Sequence, residues 1–264
     1  ILQNSSLFKL GDEIIEVDNE LIINKKTILK NLLIGSNLSA TNRNIANNSI
    51  RTNKNIINVK VKRDDNIINF QETTINKNLT TNYKIPKNKI QEISSEISYL
   101  FIKELNKNDI DSVFNRHKSK NGVILDFRGY PDDFSSVRAI FNYVFEKEFI
   151  ADLLTTPTIN NSGNFKTINQ THKTFYTPIY NGNIVILIDE NTQSASEYIT
   201  MVLSYSENVT IIGSETSGTD GPAKIIKLPG NVSVNMTRLG LYTKDGKQTQ
   251  KTGIIPDIKI KNTI

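Results

Sequence analysis

Three short apolar runs constrain this chain more than any other feature. They are "NGVILDFRGYP", ending at Asp126, "GNIVILIDE" and "NVTIIGSET". Each is a continuous apolar run closed by turn residues, the form expected of strands buried on both faces. Between the first two, "SSVRAIFNYVFE" spaces Val137, Ile140, Phe141 and Val144 as a helix does. Between the last two, "SASEYITMVLSY" brings Tyr198, Met201 and Val202 to one helical face. Strand, helix, strand, helix, strand is the pattern of an α/β core.

The flanking segments are less regular. "ISYLFIKEL" (Ile97–Leu105) reads as a further strand, and "NDIDSVFNRHK" as a short helix capped by Asn108. Residues 156–175 read as a polar loop, and "AKIIKLPGNVSVNMTRLGLYTKDG" as antiparallel strands. Residues 1–75 form a small β-rich module. In it "EIIEV" is a strand, with Ile14, Ile15 and Val17 apolar, followed by the turn "VDNE". Val59, Val61 and the Ile67–Phe70 run make a hairpin about the turn Arg63–Asn66, with one or two short helices before it. Residues 76–86 read as a linker, which leaves 76–264 as the second domain.

Composition excludes several classes. The 264 residues suit one large domain or two smaller ones. The net charge of +5 is dispersed without a dense Lys/Arg block, so nucleic-acid binding has no support. With no cysteine there is no disulfide, thiolate metal site or cysteine nucleophile. No apolar stretch approaches the roughly 20 residues that span a bilayer. The start, "ILQNSSLFKL", has no initiator Met and no signal-like pattern, so the chain is read as a piece of a longer protein.

Chemistry concentrates at the strand-to-helix junction "ENTQSASEY". Ser194 there stands outside the carboxyl end of a strand, where α/β sheets place their sites. A helix N-terminus offers free N–H groups, so the Ala195 N–H could hold an oxyanion beside a Ser194 nucleophile. The plainer reading is equally concrete: Ser194 followed by Glu197 fits a capping box. Gly129, in "DFRGYP", is either the second oxyanion donor or an ordinary turn glycine. Asp126, Asp132, Asp133, Asp189 and Glu190 lie near strand ends without metal-ligand spacing. Arg128 could bind a substrate carboxylate or pair with Asp132. No phosphate-cradling glycine motif is present.

"GVILDFRGYP", "GNIVILIDENTQSASEYITMVL", "NVTIIGSETSGTDG" and "QTQKTGIIPDIKI", in that order, resemble the core of the S41 peptidases, the C-terminal processing or tail-specific protease family. The likeness is to the branch common in Bacteroidetes. "LFKLGDEIIEVDNELI" and "SATNR" resemble the end of that family's PDZ-like domain. The resemblance implies a ClpP/crotonase-like α/β core over 76–264 behind a partial PDZ-like module over 1–75. It implies Ser194 as nucleophile and Gly129 and Ala195 as oxyanion donors.

The position of the lysine in a Ser–Lys branch is Thr219 here, with Lys224 outside the motif, which disfavours a dyad. In the tricorn-like branch a histidine is the base and an acid orients it; that acid position reads Gln250, with Glu215 as a reserve. The family histidine precedes the PDZ-like domain, so neither His117 nor His172 matches it, and the base is expected upstream of this chain. The resemblance further implies a polypeptide substrate, no cofactor, an extracytoplasmic location and possible homo-oligomers. A catalytically inactive peptide-binding protein of the same fold is the alternative.

Overall fold

The computed structural model describes residues 7–9, 11–74, 88–116, 121–158, 160–161, 163–174 and 179–260. The chain divides into two compact units, Ile1–Pro86 with Asn262–Ile264, and Lys87–Lys261. The expected linker at 76–86 lies outside the described residues.

The first unit is a four-stranded antiparallel sheet in the order β2-β1-β3-β4, with two helices. Its elements are β1 (Glu13–Val17), β2 (Glu20–Leu21), α1 (Ile22–Leu32), α2 (Leu38–Ser49), β3 (Ile56–Arg63) and β4 (Asn66–Thr73). Asp18 and Asn19 carry the β1–β2 turn at φ +54° and +66°, the left-handed pair that a tight hairpin needs. Strand β3 alternates as its sequence predicts: Ile57, Val59 and Val61 are buried, with Val17 and Ile22, in this unit's own core. Helix α2 starts where the Asn37 side chain accepts from the Ala40 N–H at 2.9 Å.

The second unit contains β5 (Ile90–Glu92), β6 (Ile97–Phe101), α3 (Lys107–Arg116), β7 (Gly122–Asp126), α4 (Phe134–Arg138) and α5 (Phe141–Val144). There follow β8 (Glu148–Pro157), β9 (Phe165–Lys173), β10 (Asn183–Ile188), α6 (Ala195–Leu203) and β11 (Val209–Gly213). The chain ends through β12 (Ala223–Leu228), β13 (Val232–Thr237), β14 (Gly240–Tyr242) and β15 (Ile258–Lys259). The central sheet runs β15-β11-β10-β7-β6-β5, parallel except for the β5 edge. A three-stranded sheet, β14-β8-β9, and the hairpin β12-β13 complete it.

The apolar runs are strands, as expected, but they are not equally buried on both faces. Ile184, Ile186 and Ile188 of β10 are buried, whereas Val185 and Leu187 are only partly covered. The register Ile184↔Val123 and Ile186↔Leu125, with Ile186↔Ile211, aligns the covered residues of three strands on one face. The topology gives the reason. The parallel crossovers step the same way across the sheet, and right-handed connections then place their helices on the same side. Burying each of these isoleucines contributes about 1.5–3 kcal/mol.

Four expectations are corrected. The strand at Ile97 stops at Phe101, and residues 102–104 form a 3-10 turn. The cap of α3 is Asn106, whose side chain accepts from the Asp109 N–H while the Asp109 carboxylate accepts from the Asn106 N–H; Asn108 lies inside the helix. "SSVRAIFNYVFE" is broken into α4 and α5. Most of 156–175 is strand: β9 is exposed at eight of its nine positions, so its backbone ladder to β8 leaves no apolar alternation to see.

Candidate active site

Strands β7, β10 and β11 end side by side, and their loops are stitched together by buried hydroxyls. Thr192 is fully buried and donates to the Phe127 carbonyl at 2.9 Å, at the end of β7. Its own carbonyl accepts from the Ser217 N–H at 3.1 Å and the Ser217 hydroxyl at 2.9 Å, in the loop after β11. Ser196 donates to the Gly129 carbonyl at 2.6 Å. These contacts hold the turn before α6 in a single geometry.

Ser194 sits on that turn with φ +50° and ψ −114°. An ordinary N-cap residue is extended. Positive φ at a non-glycine residue costs on the order of 1 kcal/mol or more and persists only where the surroundings impose it. The Glu197 carboxylate imposes it. Glu197 is fully buried, and its Oε2 accepts from the Ser194 N–H at 2.9 Å and the Thr219 N–H at 2.9 Å. Its Oε1 accepts from the Gly218 N–H at 2.6 Å and the Thr216 hydroxyl at 2.5 Å. Glu197 makes its half of the capping box, accepting from the Ser194 N–H, and that bond is also what holds a serine in a strained turn at the mouth of a cavity. Both readings of "SASE" describe the same device.

The cavity beside Ser194 has a volume of about 400 Å³, in the range of ligand pockets. Ser194, Ala195 and Tyr198 line it from the α6 side, Asp152 and Leu154 from β8, and Asp220 from the loop after β11. Ala195 opens the helix, and among the described residues its N–H has no partner, as expected of the first helical turn. Asp220 is 3% exposed and accepts from the Gly221 N–H at 2.8 Å and the Thr249 hydroxyl at 3.3 Å. Burial, and then the charge of Glu197, push its carboxyl up to about 7. Asp152 is 2% exposed, accepts from the Tyr198 hydroxyl at 2.9 Å and is raised by burial.

The other expected site residues fall in different places. The Gly129 N–H donates to the Phe127 carbonyl at 2.7 Å, so this donor is engaged although it lies close to α6. Gln250 does not line the cavity; its amide donates to the Thr237 hydroxyl at 2.6 Å. Thr219 joins Ser194 on the same Glu197 oxygen, which brings "SGTDG" to the site, while Lys224 lies on exposed β12. Glu215 is exposed and outside the cavity lining. Arg128 pairs with Asp126, not Asp132: its Nε donates to Oδ1 at 2.9 Å and a terminal nitrogen to Oδ2 at 2.8 Å. The nearest carboxylate in space is two residues back in sequence, where the turn folds the arginine onto it. Asp133 caps α4 through the Ser135 N–H. The Asp189 carboxylate accepts from the Asn191 N–H at 2.8 Å.

His172, on β9, packs edge-on against Phe141 and Phe149, and its Nδ1 accepts from Arg138 at 2.9 Å. Arginine can only donate, so the ring proton resides on Nε2. Burial and the arginine charge lower its pKa, and it does not line the cavity. His117 lies outside the described residues. Among the described residues no group of three His, Asp or Glu side chains could hold a metal, and no helix is long and apolar enough to cross a membrane.

The family model of peptidase family S41 matches residues 96–260, more than half of the chain. The chain belongs to peptidase family S41. A carboxy-terminal-processing protease of Bartonella bacilliformis is 33% identical over 81 residues, 31% of this chain and 19% of that protein. Among solved structures, mature CPAF superposes with a TM-score of 0.72 at 11% identity, over 98% of this chain and 74% of that one. The photosystem II D1 C-terminal processing protease superposes at 0.52 and 16% identity, over 96% and 64%. A peptidase structure from Parabacteroides merdae gives 0.59 at 20%, over 69% and 60%. The chain thus matches under a fifth of its curated relative's length.

Sequence reasoning missed two carboxylates of this cavity. Asp220 adjoins Thr219 in "SGTDG" and carries no local sign of burial. Asp152 follows an apolar residue on a strand and gives no sign that it turns inward. Both depend on loops and strands distant in sequence.

Proposed function

We propose that this chain is the core of a serine-type peptidase that cleaves polypeptides through an acyl-enzyme on Ser194. The observation that carries the proposal is Ser194 itself, held at positive φ by Glu197 on a strand-to-helix turn that opens into a cavity. Nucleophilic serines of other hydrolases occupy such strained turns. In this reaction Ser194 Oγ attacks the scissile carbonyl carbon and its proton passes to a general base. The oxyanion that forms is held by the Ala195 N–H. The C–N bond then breaks, the amine leaves with a proton returned by the base, and water hydrolyses the ester. The base is a histidine from outside these residues; His172 is engaged by Arg138 and away from the cavity. A PDZ-like role for the first unit, an extracytoplasmic location and self-association belong to the same proposal and rest on the resemblance.

The test is labelling of the full-length protein with a fluorophosphonate probe. Modification of Ser194, absent in Ser194→Ala, is expected. A folded protein that is not labelled would refute the reading. These 264 residues alone are expected to show no turnover, because loss of the base costs several orders of magnitude. One observation favours a second reading, a peptide-binding protein without activity: the Gly129 N–H is engaged by Phe127, which leaves a single oxyanion donor in place. Hydrolysis that disappears in Ser194→Ala excludes it.

A further inference from the structure

Strand β8 contains a bulge with a chemical consequence. Ile150 pairs with Thr171 and Asp152 with Gln170, so Ala151 is the extra residue. Before the bulge the exposed positions are Glu148 and Ile150; after it the inward positions are Asp152 and Leu154, both at the cavity. Without the extra residue the alternation would send Asp152 outward with Ile150. The bulge thus turns a carboxylate into the pocket beside Ser194.

Asp152 has little company there. The Tyr198 hydroxyl is its one hydrogen-bond donor among the described residues. Neither Asp152 nor Asp220 forms an ion pair among them. Arg138 also lines the cavity, but it is exposed and its guanidinium donates to His172. The Arg138 charge acts on Asp152, but the two form no ion pair and burial still raises the carboxyl. A buried carboxylate with no paired cation is costly, and an incoming cation would offset that cost. Phe134, Leu154, Tyr198 and Leu241 provide apolar walls of the kind that cover an aliphatic stem.

Resting on the serine peptidase reading, we propose that this cavity selects a basic side chain of the substrate polypeptide, lysine or arginine, with the Asp152 carboxylate as its counter-charge. The pocket walls hold the methylene stem, and the carboxylate turned in by the bulge meets the cationic end. Tyr198 stands one helical turn beyond Ser194 and positions Asp152 relative to the nucleophile.

The experiment uses the full-length protein and Asp152→Asn, whose amide oxygen can still accept from Tyr198. Casein digests are mapped by mass spectrometry, and kcat/KM is measured for peptides that differ only in lysine, alanine or glutamate at the cleaved position. Cleavage after lysine and arginine is expected, with the lysine-to-alanine ratio falling about tenfold or more in the variant. Preference for uncharged or acidic residues, or a basic preference that survives in Asp152→Asn, overturns the proposal. A second measurement does not need turnover: benzamidine is expected to raise the Tm of wild type, neutral benzamide is not, and Asp152→Asn abolishes the benzamidine shift. No shift in wild type counts against the pocket even if Ser194 is labelled. A shift without Ser194 labelling supports the pocket and refutes the peptidase reading, so the two failures are distinct.

Discussion

Replacing Asp220 by asparagine should make the protein more stable, and increasingly so as pH rises. The substitution removes a buried charge and preserves shape: the amide oxygen can accept from the Gly221 N–H, and the amide nitrogen can face the Thr249 hydroxyl. Burial and the Glu197 charge raise the Asp220 carboxyl from 3.8 to about 7. The folded protein therefore holds this proton more tightly than the unfolded chain. Wild-type stability is greatest below pH 3.8 as far as this group is concerned, falls as pH rises towards 7, and is flat above. At about 1.36 kcal/mol per pH unit the whole span amounts to roughly 4 kcal/mol, of which about 2.3 kcal/mol falls between pH 5 and pH 7, where the slope flattens towards the folded-state value. Asparagine does not titrate, so the advantage of Asp220→Asn over wild type should grow by about 2–3 kcal/mol across that window. Urea denaturation of both proteins at half-unit steps from pH 5 to pH 8 measures it, and the difference cancels the other titrating groups. A flat difference, or one that favours wild type more strongly at pH 8, would refute the assignment of Asp220 as a buried, uncompensated carboxylate.

Three further outcomes are expected. Glu197→Gln sets an amide NH₂ against backbone donors that now share a carboxylate, and should cost about 3 kcal/mol in chemical denaturation; a loss below about 1 kcal/mol would show that Glu197 does not hold the turn. Ser194→Gly should be more stable than Ser194→Ala by about 1 kcal/mol, because only glycine relieves φ +50°; equal stability would mean that the turn relaxes. Gly213→Ala should fail to accumulate as folded protein, since a Cβ there would lie 1.9 Å from the Ile188 carbonyl oxygen at φ +137°; a soluble variant of wild-type Tm would contradict the close approach of β10 and β11.

Some of the site was legible from local chemistry. Ser194 and Glu197 are three residues apart, and both the cap and the nucleophile follow from that spacing at a strand end. The family resemblance brings "SGTDG" to the site, and Glu197 is the physical link that ties it there. Gly129 shows where such reasoning stops. Its nearness to α6 was foreseeable from neighbouring strand ends, but the direction of its N–H depends on a peptide orientation that spacing does not encode. The bond from Gln250 to Thr237 likewise depends on where β13 ends up.

By itself, the sequence determined the α/β core, because apolar runs and 3.6-residue spacing are local records of which segments are strands and which are helices. It also determined the hairpin of the first unit and the family. Only the tertiary structure decided what the site contains. The deeper burial of one face of the sheet follows from the common hand of its crossovers. Asp152 faces the pocket because of one extra residue in β8, set against a partner strand with no apolar pattern. Asp220 is perturbed because loops far apart in sequence exclude water around it and set Glu197 beside it. Burial of a charge is a property of everything packed around it, and a short stretch of sequence does not carry that information.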